Sequence, residues 1–265
     1  MKKRKIEVVF FFIIIMFLTI VTLFSFTPIA LIVLRGLKHM KTAIQNKEII
    51  MSISLSFKTS FFSTLICCFF SIPTAYGLSR YNFPLKRCIL LLVYLPMSLP
   101  HMVSGIALLL FFSNTLFGEL LSKYGLDFVF SVKGIVIAQV FVNMPYMIKM
   151  LKNTFDEMNF KMEFIARTLG CNILQSFYYI TLPLCKKGLI STIVIIWSRG
   201  LGEFGAVLML AGATRFKTET MPIAIFLNIS TGDLDLAIAT ATILIIISMI
   251  PYVLFETVEK KLKFK

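Results

Sequence analysis

Two oppositely charged residues four positions apart are the first candidates for chemistry in this chain. Of its 265 residues, 58% are hydrophobic and 15% are charged. Arg199 and Glu203 interrupt an apolar stretch, and their spacing would place both side chains on one face of a helix. A charge inside a bilayer is costly unless it is paired or faces water. The spacing predicts either a polar face along a pathway or a salt bridge between packed helices.

Small residues surround this charged pair. Glycines allow the backbone of a neighbouring helix to approach closely. The face could therefore line a pathway or hold two subunits together, and Gly205 is a candidate contact in either case. The glycines of this stretch are Gly200, Gly202, Gly205 and Gly212.

The chain offers little raw material for catalysis. It has two histidines, His39 and His101, with no carboxylate pattern nearby, and five cysteines without the spacing of a metal site. The odd cysteine count argues against a disulfide framework, and no G-x-x-x-x-G-K-[ST] phosphate-binding loop occurs. We therefore expect no catalytic residue, no metal and no cofactor bound by this chain. A membrane-embedded enzyme would need a His, Asp or Glu cluster, which the sequence lacks.

A stretch between two apolar segments has the pattern of a helical hairpin. Thr154 and Glu157 have the spacing of a capping box that would start a helix, and Gly170 would end it. Asn172 and Gln175 would cap a second helix. Apolar residues recur at steps of three and four in both halves. They are Phe155, Met158, Met162, Ile165 and Leu169, then Ile173, Phe177, Ile180 and Leu184, with Pro183 where the next segment begins.

The apolar segments predict an all-α integral membrane protein. A helix needs about 20 apolar residues to span a bilayer. Six such segments cover residues 10–34, 52–78, 88–112, 133–151, 188–212 and 236–255. We expect one domain over residues 1–265, and read the first segment as a retained span. Asn143 and Pro145 make the fourth span the weakest. Lys58 in the second span is expected to reach the interface with its long side chain, and the serines and threonines there suit a pathway or a helix interface.

The basic residues predict the orientation. With the N-terminus inside, the inner segments hold 17 Lys and Arg residues and the outer segments hold 8. Cytoplasmic segments carry the excess of these residues, so both termini and the hairpin are expected in the cytoplasm. The net charge of +14 is spread between apolar runs, which favours a membrane protein over a nucleic-acid-binding one.

The hairpin resembles the cytoplasmic coupling loop of ABC importer permeases. The matching residues are Glu163, Ala166, Arg167, Leu169, Gly170, Phe177, Ile180, Leu182 and Pro183. Ile165 stands where the family has its first alanine, and Phe164 follows the glutamate. The resemblance implies that a loop over about 153–184 docks into a cleft on a separate ATPase subunit. Glu163, Ala166, Arg167, Leu169 and Gly170 would couple the two proteins, with Glu163 as a charge on the docking face.

The fifth segment is similar to permeases for molybdate, tungstate and sulfate. Arg199, Gly202, Glu203, Phe204, Gly205, Ala206, Ala211 and Gly212 carry this similarity, and residues 217–225 look more like the molybdate branch. The resemblance implies a homodimer that imports a tetrahedral oxyanion by alternating access. An ATPase dimer would bind ATP and Mg, and an external substrate-binding protein would deliver the anion.

The similarity leaves other transporters open. A sulfate or other-substrate ABC importer permease is the nearest alternative. A secondary transporter is the next, and would need titratable groups or broken repeats at the midplane. Arg199, Glu203 and Gly205 are the pathway or subunit-interface candidates, and Arg215 and Lys217 on an outer loop favour an anion at the entrance.

Overall fold

The computed structural model describes residues 2–263, with side chains from 10 to 253 and at 256. Within those residues the chain forms twelve α-helices and one π-helical turn, and no β-strand. The helices are α1 (Lys2–Gln45), α2 (Lys47–Arg80), α3 (Lys86–Ser98), α4 (His101–Asn114), α5 (Leu116–Lys123), α6 (Val132–Glu157), α7 (Lys161–Thr168), α8 (Ile173–Ser176), α9 (Leu182–Leu201), α10 (Gly205–Ala211), α11 (Met221–Ser230) and α12 (Leu234–Lys263). The π-helical turn is Phe177–Thr181.

Five stretches of helix in the described residues are long and apolar enough to cross a membrane, and a bent pair makes a sixth. The prediction of an all-α membrane protein is confirmed. The five stretches are Phe10–Gln45, Lys47–Arg80, Val132–Glu157, Ile173–Leu201 and Leu234–Val253. The basic side chains at the two chain ends, on which the predicted orientation depends, lie outside the described residues.

The third predicted span is not one straight helix. It consists of α3 and α4, which meet at an angle of 111°. Leu99 separates them in an extended conformation, with ψ of 141°, directly before Pro100. A residue before proline is pushed out of the helical region, and proline itself supplies no N–H for the helix. The break therefore follows from Pro100.

The fifth predicted span, residues 188–212, is wrong at both ends. The helix of α9 already begins at Leu182 and continues from α8 through the π-helical turn, so the second half of the hairpin enters the membrane without a break. It ends at Leu201 with Gly202 as its C-cap, and α10 begins only at Gly205. Glu203 thus lies in the break between α9 and α10, not on the same helix as Arg199.

The start of the hairpin was also predicted in the wrong place. Thr154 does not cap a helix, because it lies inside α6, where its hydroxyl donates to the carbonyl of Met150 at 3.1 Å. The first hairpin helix, α7, begins at Lys161. Pro145 lies within α6 without ending it. The fourth span is therefore longer than expected, and its last turn forms part of the hairpin's base.

The polar stripe of α2 is a helix interface. Small side chains allow helices to pack closely within a membrane. Gly200 of α9 lies against Ser60, since a Cβ added at Gly200 would be 3.2 Å from the Ser60 Cβ. Gln139 of α6 donates its Nε2 to the carbonyl of Gly200 at 2.9 Å. The buried members of the stripe are Ser52, Ser56, Thr59, Ser60, Ser63 and Thr64.

Candidate functional site

Glu163 is the centre of the contacts that fasten the hairpin to the membrane helices. Its Oε1 accepts hydrogen bonds from Arg80 Nε and Thr181 Oγ1, both at 2.8 Å, and its Oε2 accepts one from the Tyr76 hydroxyl at 3.1 Å. The residue is only 4% exposed. The expectation that Glu163 presents a charge on the docking face is therefore wrong. Its carboxylate faces inward and joins α7 to α2 and to the π-helical turn.

Arg80, in the last turn of α2, extends this network to α6. Its Nη1 donates to Ser79 Oγ at 3.0 Å, and Ser79 donates to Asp156 Oδ1 at 2.6 Å. The guanidinium lies 5.9 Å from the ring centroids of both Tyr76 and Phe160. In the sequence, Arg80 contributes only to the excess of basic residues that predicts the orientation. The available signal was a basic residue at the end of the second predicted span and a glutamate in the hairpin.

The tip of the hairpin presents an exposed apolar surface. Leu169 is 81% exposed, and Arg167 lies beside it. Ala166 is buried, so the five predicted coupling residues divide into two that are enclosed and three at the surface. Contiguous apolar surface of this kind indicates a contact with another protein. A shallow depression in it is lined by Phe164, Arg167, Thr168, Cys171, Asn172, Ile173 and Leu174.

The turn of the hairpin has the predicted backbone conformation and capping hydrogen bonds. Gly170 has φ of 97°, in the left-handed region that favours glycine, directly after α7 ends. The predicted capping box is confirmed, because Asn172 Oδ1 accepts from the N–H of Gln175 at 2.8 Å and Gln175 Oε1 accepts from the N–H of Asn172 at 2.9 Å. The two short helices are thus held at a fixed turn.

The π-helical turn connects the hairpin to α9 in one continuous stretch of helix. It ends at Thr181, which donates to Glu163, and it precedes Pro183. Proline has no N–H to give to the preceding turn. A wider turn at this point therefore carries the helix past Pro183 with Thr181 facing the buried carboxylate.

Glu203 holds together the two places where membrane helices are broken. Its Oε2 lies 2.9 Å from His101 Nδ1, and its Oε1 accepts from the N–H of Ala206 at 3.0 Å. The Glu203 side chain is 3% exposed and that of His101 is 41% exposed. His101 is the first residue of α4, so the α3–α4 break meets the α9–α10 break. His101 was not predicted as a site residue, because no carboxylate is near it in sequence.

Glycines make this meeting of helices possible. A Cβ at Gly205 would lie 3.0 Å from the Cβ of His101, and a Cβ at Gly105 would lie 2.7 Å from the carbonyl oxygen of Ala206. Neither distance leaves room for a larger residue without a shift of the helices. The predicted role of Gly205 as a close-contact position fits this geometry. Among the described residues there is no group of three or more His, Cys, Asp or Glu side chains that could hold a metal ion.

Arg199 is not paired with Glu203. Its Nε donates to Asn143 Oδ1 at 3.3 Å, and its guanidinium carbon lies 3.9 Å from the centroid of the Tyr146 ring. Both partners belong to α6. The predicted direct salt bridge is therefore wrong, because α9 ends between the two residues and each side chain turns to a different neighbour.

The loop between α10 and α11, which was expected to face outward, carries one of its two cations in an ion pair. Arg215 Nη1 donates to Glu48 Oε1 at the start of α2. Burial, together with the neighbouring Glu48 carboxyl, raises the pKa of Glu219 to about 7. Lys217 is exposed. The charge expected to attract an anion at this loop thus comes from Lys217, since that of Arg215 is balanced by Glu48.

Comparison with known proteins gives consistent matches. The sequence profile of binding-protein-dependent transport system inner membrane components matches residues 68–264. The chain is 37% identical over 195 residues to the molybdenum transport system permease protein ModB of Mycobacterium tuberculosis, covering 73% of this chain and 74% of that protein. It is 31% identical over 240 residues to the molybdate/tungstate transport system permease protein WtpB of Methanocaldococcus jannaschii, covering 91% and 93%.

A sulfate permease and a solved transporter are also similar. The sulfate transport system permease protein CysT of Escherichia coli is 29% identical over 219 residues, covering 82% of this chain and 79% of that protein. The fold matches a chain of a bacterial alginate ABC transporter, solved with an alginate-bound periplasmic protein, with a TM-score of 0.78. That match covers 98% of this chain and 97% of the other at 17% identity, and it shows the fold.

The buried network predicts a large cost for neutralising Glu163. Glu163→Gln leaves the Arg80 guanidinium, whose side chain is 7% exposed, without its charge partner. We expect the free energy of unfolding in detergent to fall by about 3 kcal/mol. The control is Glu157→Gln, an exposed position at the end of α6, which should change it by less than about 0.5 kcal/mol. Equal effects at both positions would show that the Glu163 network contributes nothing particular.

The separate partners of Arg199 and Glu203 predict which substitutions interact. In a double-mutant cycle, His101→Ala and Glu203→Gln should show an interaction energy of about 1 kcal/mol or more, because each removes the same hydrogen bond. Arg199→Gln and Glu203→Gln should add to within about 0.5 kcal/mol. Thermal unfolding of the purified variants measures both cycles. A larger interaction in the second cycle than in the first would restore the direct pair.

Proposed function

Because this chain belongs to the family of binding-protein-dependent transport system inner membrane components, we propose that it carries a tetrahedral oxyanion, molybdate or tungstate, into the cytoplasm. It is a multi-pass membrane permease, and in this proposal residues 1–265 form one transmembrane domain. The chain performs no covalent chemistry. Sulfate is the second candidate, and the similarity to a sulfate permease supports it.

The similarity to WtpB carries the choice of anion. It extends over 240 residues and covers 91% of this chain, so it includes the hairpin and both helix breaks. ModB, also named for molybdenum, is similar at 37% identity, whereas CysT is similar at 29%. Two relatives named for molybdate or molybdenum therefore have a higher sequence identity to this chain than this sulfate permease has.

The exposed end of the hairpin is the surface on which a separate ATPase would act. Arg167, Leu169 and Gly170 lie at that surface, and its apolar side chains suit a protein cleft. The chain has no phosphate-binding loop of its own, so ATP and Mg would bind to this partner. The positive-inside count supports a cytoplasmic hairpin and cytoplasmic termini in the cell membrane.

The buried network would carry the partner's movement into the membrane. Glu163 and Arg80 join α7 to the end of α2, and Ser79 joins α2 to α6. A displacement of the hairpin therefore pulls on two long membrane helices that pack against each other. Two copies of the chain, two copies of the ATPase and an external binding protein would complete an importer that works by alternating access.

The coupling role predicts that strain at Gly170 separates ATP hydrolysis from transport. Gly170→Val places a β-branched residue at φ of 97° in an exposed turn, which costs about 1–2 kcal/mol and distorts the docking surface. We expect membrane insertion to be intact. In vesicles containing the whole importer, the transport rate and the stimulation of ATP hydrolysis by loaded binding protein should fall at least about fivefold, which corresponds to about 1 kcal/mol of lost docking free energy.

A matched control lies at the opposite end of the molecule. Gly125 has φ of 73° and, like Gly170, no atom within 4 Å of an added Cβ. Gly125→Val imposes the same backbone strain away from the hairpin, so it should lower stability as much and leave coupling unchanged. Loss of coupling in both variants, or in neither, would remove the hairpin from this role.

The choice of anion is tested in cells that lack this chain. We expect cellular molybdenum or tungsten to fall when these elements are scarce, and growth to recover with excess molybdate or tungstate. Elemental analysis of deletion and complemented cells is the measurement. Unchanged molybdenum and tungsten together with a need for another sulfur source would move the assignment to sulfate. Unchanged uptake of all three anions would rule out an oxyanion substrate, but it would not contradict the importer function.

A further inference from the structure

Arg199 places a fixed positive charge near the middle of the membrane. Its partner Asn143 lies about 11 residues from the start of the 26-residue helix α6 and about 14 from its end. At 1.5 Å per residue these distances are about 17 and 21 Å along the helix axis. Arg199 therefore contacts α6 at the centre of a span, where an unpaired charge is most costly.

The guanidinium is held on one side and open on the other. Its Nε is bonded to Asn143, and the Tyr146 ring covers one planar face. In the described part of the chain, Nη1 and Nη2 bond to no protein acceptor, and neither is among the enclosed polar atoms without partners. Two N–H groups that point the same way on a fixed planar fork suit two oxygens of one oxyanion.

A second copy of the chain has no free carboxylate to offer at this depth. Of the 13 Asp and Glu residues, Glu203 is the one in the interior of a membrane segment; the others lie at helix ends, beyond the spans or in loops. Glu203 is 3% exposed and already bonded to His101 and Ala206. A salt bridge between subunits therefore cannot balance Arg199, and a lipid-facing guanidinium would remain uncompensated.

We propose that Arg199 is a contact for the transported oxyanion at the midplane of the membrane, positioned by Asn143 and Tyr146. This rests on the proposed function and identifies the residue that meets the anion inside the permease. A divalent oxyanion gives up hydration when it enters the membrane, and a charged donor replaces part of it. In a homodimer two copies of Arg199 would balance both negative charges. The break between α9 and α10, which begins at Gly202 just after Arg199, provides the kind of non-helical backbone that lines pathways in membrane proteins.

The test uses the importer reconstituted in vesicles with its ATPase and binding protein, and radiolabelled molybdate as the probe. Arg199→Gln should lower molybdate transported per ATP about tenfold or more, because hydrogen bonds to a charged group are lost. The maximal rate should fall, while the concentration of loaded binding protein that gives half the maximal rate stays within about twofold. Arg199→Lys keeps the charge without the fork, and should retain about a third of the activity.

Lys58 supplies a matched control. It is an exposed cation in α2 with no carboxylate among its described contacts, so Lys58→Gln removes the same charge from another span. It should transport molybdate at the rate of the unsubstituted protein. An equal loss in Lys58→Gln and Arg199→Gln would replace a specific contact with a general effect of positive charge and overturn the proposal.

Three other outcomes would also overturn it. Unchanged transport by Arg199→Gln would show that the anion does not depend on this residue. Loss of self-association or of ATPase stimulation in Arg199→Gln would assign Arg199 to assembly. If the unsubstituted importer transports molybdate and any of these three results is obtained, this inference fails and the proposed function stands. Should it transport none of molybdate, tungstate and sulfate, the proposed function fails with it.

Discussion

A carboxylate enclosed away from water must be hydrogen-bonded, and two of the buried carboxylates, Glu163 and Glu203, hold separate groups of helices together. Burying an unpaired ionised group costs several kcal/mol, which is a large part of the small net free energy of unfolding of a protein. Glu163 meets this requirement with Arg80, Tyr76 and Thr181, and Glu203 meets it with His101 and the N–H of Ala206. In each case the hydrogen bonds link different helices, so the bonds that stabilise the charge also fix the relative positions of those helices.

The features predicted correctly from the sequence are local ones. The capping box of Asn172 and Gln175 and the left-handed turn at Gly170 depend on residues within a few positions. Apolar segments of bilayer length are likewise recognised from consecutive residues alone. The helix boundary at Thr154 failed because a pattern that can start a helix also occurs inside one. There the hydroxyl finds the Met150 carbonyl instead of an N–H at a helix start.

The features that were missed depend on distant partners. Arg80 and Glu163 are 83 positions apart, and His101 and Glu203 are further apart still. The four-residue spacing of Arg199 and Glu203 was informative only if one helix ran through both, and Gly202 ends that helix. Because the helix ends there, the two side chains do not share a helix face, and each contacts a different nearby group. Sequence spacing alone does not show which groups these are.

Glu163 and Glu203 hold different groups of helices together. The Glu163 network joins the hairpin to the C-terminal ends of α2 and α6, whereas Glu203 joins α4 to α10 at the meeting of two broken spans. Helix α6 contacts both groups of helices, since it packs against α2 and α9 as well as α4 and α10. Two connections therefore link the hairpin to the middle of the chain's membrane segments: the packing of α6, and the continuous stretch Ile173–Leu201 that includes α9. Arg199 joins these two connections, because it belongs to α9 and its guanidinium contacts Asn143 and Tyr146 of α6.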